Sequence, residues 1–218
     1  MHVPELRDDH LEYLALFPLP NVVFFPLVQL PLHVFEPRYQ QLVKDVMRQG
    51  RPLAIPLLKP GYESVKDGPP PIHDVAGVGW IIDHAPMSEG RSLIMLQGVA
   101  RVRILEELET DTSYRVASAE VVEAEWPDNQ RLVADPLGRI KDLLMGLMLT
   151  NPEVAEALRS LAETTDRPEL LSDVIAAGVI TDLPLRQAIL AEPRIDRRLR
   201  MAADGLTTLM AGDDLVEA

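Results

Sequence analysis

The chain contains no cysteine, and this absence removes several kinds of chemistry at once. Without a thiol in its 218 residues it has no disulfide, no thiolate nucleophile and no cysteine-ligated zinc or iron–sulfur site. The N-terminus also lacks the basic start and apolar core of a secretory signal. No run approaches the ~20 uninterrupted apolar residues that a membrane helix needs. We therefore expect a cytoplasmic protein.

Basic residues are scarce. Lysine and arginine total 21 against 34 acidic residues, which gives a formal net charge of −13. Such a field repels phosphate backbones and anionic lipids, so neither nucleic acid nor a membrane is an expected partner. The one basic cluster, Arg194, Arg197, Arg198 and Arg200, is interpreted as a solvated helix face.

Catalytic motifs are missing as well. None of the twelve glycines is followed by lysine, which excludes a P-loop. None of the seven serines lies in a G-x-S-x-G elbow, and the GVGW stretch at 77–80 lacks the third glycine of a dinucleotide fingerprint. No catalytic residue and no cofactor is predicted.

One metal-dependent alternative remains open. His73-Asp74 and Asp83-His84 bracket a single candidate strand and would offer nitrogen and oxygen ligands to a divalent ion if they converged across a hairpin. A hydrolase using His73, Asp83 and His84 is the alternative function. Capping of the strand by these polar residues explains them equally well, so no metal site is predicted.

The N-terminal part of the chain has the pattern of short strands. One helix is predicted from Glu36 to Gln49, with Pro37 early in its first turn and Gly50 at its end. Because proline is tolerated only at strand ends, edges and bulges, the prolines divide the apolar N-terminal run into short pieces that turn corners. This pattern favours a closed or nearly closed sheet with one covering helix. The candidate strands are EYLALF, VVFF, LAIPLL, VAGVGWIID, SLIMLQGVARVRIL and YRVASAEVV, and the dividing prolines are Pro18, Pro20, Pro26, Pro31 and Pro37.

From about residue 128 the apolar period changes to that of helices. Leu137, Ile140, Leu144 and Leu147 form one stripe, and Val154, Leu158 and Leu161 form another behind Asn151-Pro152. Further helices are predicted at 168–177, at 182–191 after Asp182, and at 193–211. Short amphipathic helices bury their stripes against one another, so we expect an α-helical bundle. The predicted fold is α+β, with one unit at 1–127 and a second at 128–218.

Three segments resemble the N-terminal, substrate-binding domain of the Lon protease family. The string LPLHVFEPRYQQLV, preceded by LFPLPNVVFFP, is similar to the family's L-P-L-x-I-F-E-P-R-Y phrase and its opening strand. The stretch LIMLQGVARVRIL resembles its L-x-x-x-G-x-x-R-x-R-I hairpin, with Gly98, Arg101, Arg103 and Ile104 in the expected places. Residues 170–201 follow the order of its helical part.

The resemblance implies a PUA-like β-barrel with one covering helix, followed by a helical bundle. It also implies contact with other polypeptides, and weak self-association is a further expectation. The ATPase and protease motifs of Lon are not found, so the chain is expected to be a stand-alone bacterial member. The VKDGPPP stretch echoes a protease motif, but Pro70 stands where the serine would be.

These observations predict a non-enzymatic module that binds unfolded or exposed protein segments. The contact surface is expected between barrel and bundle, either through apolar side chains or through an open strand edge. The candidate polypeptide-binding residues are the clustered aromatics Phe24, Phe25, Phe35 and Tyr39. RNA binding, which the PUA-like resemblance also suggests, is opposed by a chain with only four lysines.

Overall fold

The computed structural model of the chain describes residues 3–66, 68–150 and 167–213. It divides into two compact units, Met1–Val122 and Glu123–Ala218. The predicted stripe of Val154, Leu158 and Leu161 lies outside the described residues, as does the Asn151-Pro152 cap.

The first unit is a closed barrel of five strands with a sixth strand added at one side. Around the barrel the pairing runs β5, β4, β3, β1, β6 and back to β5, with β1 and β3 parallel and the other pairs antiparallel. β5 is long enough to pair with β2 near its start and with β6 near its end. The structure thus confirms the predicted α+β fold. The elements are α1 (Asp8–Leu11), β1 (Leu14–Leu16), β2 (Gln29–Val34), α2 (Pro37–Gln49), β3 (Leu53–Ile55), β4 (Val75–Pro86), β5 (Ser92–Leu108) and β6 (Arg115–Val121).

One predicted strand is not a strand, and one strand was not predicted. The VVFF segment has no strand pairing, although its Phe24 and Phe25 side chains are fully buried. The strand of this region is β2, which follows it. Its alternation of inward Leu30, Leu32 and Val34 with outward residues is the period of a half-buried strand, although Pro31 stands at its middle.

The Phe24-Phe25 segment lies directly against β4 and β5 where these strands carry glycine. A Cβ atom added at Gly77 would lie 1.8 Å from the Phe24 carbonyl oxygen, and one at Gly98 would lie 2.1 Å from that of Phe25. Gly79 is similarly confined, since its Cβ would lie 2.8 Å from the Phe24 ring. Glycine inside a strand permits such close backbone approach.

A strained turn follows this segment and leads into β2. Leu27 has φ 64°, the left-handed region that leucine rarely adopts, and its N–H donates to the Gly98 carbonyl at 3.0 Å. The Gly98 N–H in turn donates to the Val28 carbonyl at 2.9 Å. These two bonds hold the start of β2 beside β5.

α2 is the predicted covering helix and lies over part of the sheet. Tyr39, Leu42 and Val46 are buried against β-sheet residues, whereas Met47 is 45% exposed. The helix begins at Pro37 and ends at Gln49, and it is followed by Gly50, whose φ of 58° suits glycine at a helix end.

The second unit contains the predicted helices. Ile140, Leu144 and Leu147 are buried along the first of them, and the Asp182 side chain accepts a hydrogen bond from the Leu185 N–H at 2.6 Å to cap the third. Within the described ranges, no helix is long and apolar enough to cross a membrane. The helices are α3 (Arg131–Thr150), α4 (Pro168–Gly178), α5 (Leu183–Ala191) and α6 (Ile195–Asp213).

The arginine cluster near the start of α6 is not a uniformly solvated face. Arg198 is fully buried, lies 3.8 Å from the Asp173 carboxylate and donates to the Glu169 carbonyl at 3.2 Å. The interpretation of this residue as solvated was therefore wrong. Arg194 and Arg200 both pair with the buried Asp196. The cluster neutralises carboxylates of its own unit.

We expect Gly77→Ala to destabilise the barrel by about 3 kcal/mol or more, because the new methyl group overlaps the Phe24 backbone and cannot be relieved by a rotamer change. Urea denaturation followed by tryptophan fluorescence measures this, since Trp80 is buried in β4. Gly138→Ala is the control: nothing lies within 4 Å of its added Cβ, so alanine in α3 is expected to be neutral or stabilising. Equal stabilities of the two variants would contradict the close approach.

We expect Arg198→Met to lower the free energy of unfolding by about 3 to 5 kcal/mol, because it leaves the buried Asp173 without this cation. Arg197→Met is the matched control on the same helix. Arg197 is 55% exposed and lies 3.7 Å from Glu192, so its loss is expected to cost less than ~1 kcal/mol. Thermal unfolding followed by circular dichroism compares the two, and a similar loss in both would refute the buried pair as the cause.

Candidate functional site

An apolar surface lies on the outer side of β2, β5 and β4. In the strand ladder Pro31 is opposite Met95, which is opposite Asp83, and His33 is opposite Leu93, which is opposite Ala85. Because residues paired across antiparallel strands share one face, each row projects to the same side. We call this surface the Phe35 face; it consists of Pro31, His33, Phe35, Ala85, Leu93 and Met95.

The Phe35 face is open to solvent. Phe35 is 59% exposed and Leu93 is 49% exposed, and only Met95 of the six is clearly sheltered. The Phe35 and His33 rings lie 5.7 Å apart between centroids, so they form one continuous aromatic end of the surface. Large apolar side chains grouped on an outer sheet face are typical of a binding surface rather than of a solvated strand.

β2 forms the edge of this surface. Among the strands of the described residues it pairs with β5 alone, so no described strand occupies its other side. Pro31 occurs in the middle of this edge and has no N–H to donate. A polypeptide added along this edge could not form an uninterrupted ladder of hydrogen bonds. The side chains of the Phe35 face form a continuous surface and are therefore the better candidate for binding.

Asp83 is the carboxylate at the border of the Phe35 face. Its Oδ1 accepts a hydrogen bond from the neighbouring His84 N–H at 2.9 Å, and no lysine or arginine among the described residues forms an ion pair with it. By contrast, Glu36 pairs with Arg38 and Glu89 pairs with Arg91. The free charge in this part of the surface is negative.

The structure separates the four predicted aromatic residues. Phe24 and Phe25 are at most 1% exposed, so a bound polypeptide could not contact their side chains. Tyr39 is also buried, with its ring stacked on Phe17 at 3.9 Å and the Arg38 guanidinium 4.6 Å above it; burial raises the pKa of its hydroxyl. Phe35 alone of the four stands at the surface.

Leu93 and Met95 were not predicted as surface residues, although the sequence carries a signal for them. In the run SLIMLQ, a strand that buries Ile94 and Leu96 must turn Leu93 and Met95 outward. A strand with apolar residues on both sides therefore indicates that both of its faces make contacts. The face to which each set belongs depends on the pairing partners, which the sequence pattern alone does not specify.

The arrangement proposed for a metal-dependent hydrolase is contradicted. His73 precedes β4, whereas Asp83 and His84 lie near its far end, so the strand holds them roughly 30 Å apart instead of folding them together. No group of three or more potential metal ligands occurs among the described residues. Burial, and secondarily Lys59, lowers the pKa of His73, which is consistent with a neutral imidazole packed at the strand end.

A concavity of about 270 Å³ lies near the N-terminus of α2. Its two arginines are engaged: Arg38 pairs with Glu36, and Arg115 binds both Glu107 and, at 2.8 Å, the Pro70 carbonyl. With its cations neutralised, this groove offers no evident anion site. Its walls are Pro18, Leu19, Pro20, Glu36, Arg38, Tyr39, Leu58, Tyr62, Pro70 and Arg115.

Comparison with known proteins gives consistent results. A model of the ATP-dependent protease La (LON) substrate-binding domain matches residues 13–208. The Lon protease of Desulfosudis oleivorans is 26% identical over 203 residues, which are 91% of this chain and 25% of that protein. Lon protease 2 of Myxococcus xanthus is 27% identical over 199 residues, or 91% of this chain and 24% of that protein. The chain spans about a quarter of the length of these relatives.

Solved structures show the same fold. The N-terminal domain of Lon protease from the Mycobacterium avium complex superposes with a TM-score of 0.68 at 14% identity, covering 90% of this chain and 98% of that one. A Lon N-terminal domain protein from Xanthomonas campestris superposes with a TM-score of 0.59 at 23% identity, covering 86% and 94% respectively. At these identities the likeness establishes architecture.

The separation of the histidines predicts the result of metal analysis. We expect the purified chain to contain no stoichiometric zinc, manganese or iron, because no three of its described ligands converge. Inductively coupled plasma mass spectrometry measures the content, and His73→Ala and His84→Ala should leave it unchanged. One metal ion per chain, lost in both variants, would restore the hydrolase hypothesis.

Proposed function

Because the chain belongs to the LON substrate-binding domain family, we propose that it is a polypeptide-recognition module that binds unfolded or exposed protein segments without catalysing a reaction on them. The observation that carries the proposal is the Phe35 face, an apolar surface on a rigid sheet. An unfolded segment displays apolar side chains that a folded protein has already buried. Such a segment can cover this face with several side chains at once, whereas a well-folded protein keeps most of its large apolar side chains buried.

The face provides contact area without a deep pocket. Burying one leucine or phenylalanine side chain contributes roughly 1.5–3 kcal/mol, and a few such contacts offset the cost of ordering a short client segment. Recognition through side-chain hydrophobicity is tolerant of sequence, since it needs no fixed hydrogen-bond pattern. This tolerance suits a module that meets many different clients.

The absence of a reaction is part of the proposal. The sequence contains neither a P-loop nor a serine elbow, and the histidines that suggested metal chemistry are held apart by β4. The arginines of the basic cluster at 194–200, which an RNA-binding protein would direct at phosphates, pair with Asp173, Asp196 and Glu192. These features favour a protein that binds polypeptides and catalyses no reaction on them.

We expect Leu93→Ser and Phe35→Ser each to raise the Kd for an unfolded client about tenfold, because each removes a large, exposed apolar side chain from the Phe35 face. Fluorescence anisotropy with a labelled, permanently unfolded protein, such as reduced and carboxymethylated lactalbumin, measures the affinity. Circular dichroism checks that the variants remain folded.

Leu105→Ser is the matched control for Leu93→Ser. Both leucines are in β5 and are similarly exposed, at 57% and 49%, but Leu105 lies at the opposite end of the strand. Its substitution should leave the Kd within twofold of the original. Equal losses at the two leucines would show nonspecific adhesion, and undetectable binding of the unchanged protein would refute the proposed function.

A further inference from the structure

We propose that the Phe35 face selects clients that carry lysine or arginine beside their apolar residues, with Asp83 as the selecting carboxylate. This inference rests on the proposed function and adds a charge rule to it. The occupant is an extended, apolar and basic segment of an unfolded polypeptide that lies across the face.

The strand register places Asp83 within reach of such a segment. Asp83 continues the row that Pro31 and Met95 begin, and neighbouring strands lie about 4.8 Å apart, so its Cα is about 10 Å from that of Pro31. A client that covers Met95 and Leu93 therefore passes directly beside the carboxylate. A long basic side chain can cover apolar surface with its methylene groups while its charged end reaches Asp83.

The charges around the Phe35 face determine that basic clients are preferred over acidic ones. Arg38 and Arg91, the cations nearest in sequence to its ends, each pair with a glutamate of their own. Asp83 has no such partner among the described residues, and it is exposed. The chain as a whole carries a net charge of −13. An acidic client thus meets repulsion from both Asp83 and the overall field, whereas a basic client meets attraction.

The β4 strand has a bulge immediately before Asp83. Its register with β5 shifts between Ile81 and Asp83, and this shift leaves Asp83 opposite Met95 and therefore on the outer face. Bulges redirect side chains in this way. The carboxylate is consequently held at the apolar surface by backbone geometry, and its position does not depend on a flexible loop.

The experiment compares three labelled peptides of twelve residues that share one set of apolar residues and differ at two positions, occupied by lysine, glutamine or glutamate. Fluorescence anisotropy with the full chain gives each Kd in low salt and again in 0.5 M salt. Because exposed ion pairs contribute ~0.2–1 kcal/mol, we expect the lysine peptide to bind about 1.4- to fivefold more tightly than the glutamine peptide. The glutamate peptide should bind most weakly, and high salt should reduce the differences.

Two substitutions assign the preference to Asp83. Asp83→Asn keeps the side-chain oxygen that accepts from the His84 N–H, so the fold should be retained, and the ratio of the glutamine-peptide Kd to the lysine-peptide Kd should fall to about one. Asp83→Lys should reverse the order of the lysine and glutamate peptides. Asp111→Asn is the control for net charge, since it removes the same charge from an exposed loop after β5 and should preserve the preference.

The outcomes separate this inference from the function on which it rests. If all three peptides bind the unchanged protein equally, or if the lysine preference survives in Asp83→Asn, the charge rule is wrong and hydrophobic recognition stands. If Asp111→Asn loses the preference as fully as Asp83→Asn, the overall field and not Asp83 selects the client. If no peptide binds, the proposed function itself is refuted, and the charge rule with it.

Discussion

The first unit depends on a close approach between two backbones. Phe24 and Phe25 can lie against β4 and β5 only because Gly77, Gly79 and Gly98 have no side chains. This contact buries two large aromatic rings and fixes the position from which the chain enters β2. The strained turn at Leu27 and the alignment of β2 beside β5 follow from it. The outer face of β2 is therefore positioned by residues that never reach that surface.

Much of the architecture was predictable because the local sequence patterns agree with the burial and the element boundaries seen in the structure. The stripe of Ile140, Leu144 and Leu147 is buried on one side of α3, and the Asp182 cap begins α5 where its side chain indicated. The long apolar runs that became β4 and β5 were also recognised as strands. In each case a single local period or cap was sufficient, since no distant residue had to be known.

The candidate site was less predictable because it is created by pairing. The aromatic cluster in the sequence combines buried and exposed residues, and only the three-dimensional packing separates Phe35 from Phe24 and Phe25. Leu93 joins Phe35 through a ladder between strands that are about sixty residues apart in the chain. Arg198 shows the same limit in the second unit, since its carboxylate partner Asp173 lies on a different helix. Pairing between distant residues has no signature in a local pattern.

Pro31 has a consequence for how the protein behaves when it is concentrated. A sheet edge beside an apolar face invites identical molecules to stack strand on strand, which is how fibrils grow. The Pro31 nitrogen in the centre of that edge carries no hydrogen, so a strand added there would lack one of the hydrogen bonds of the ladder. The protein can therefore leave an apolar face exposed for reversible binding, while the stacking of identical molecules along this edge is disfavoured.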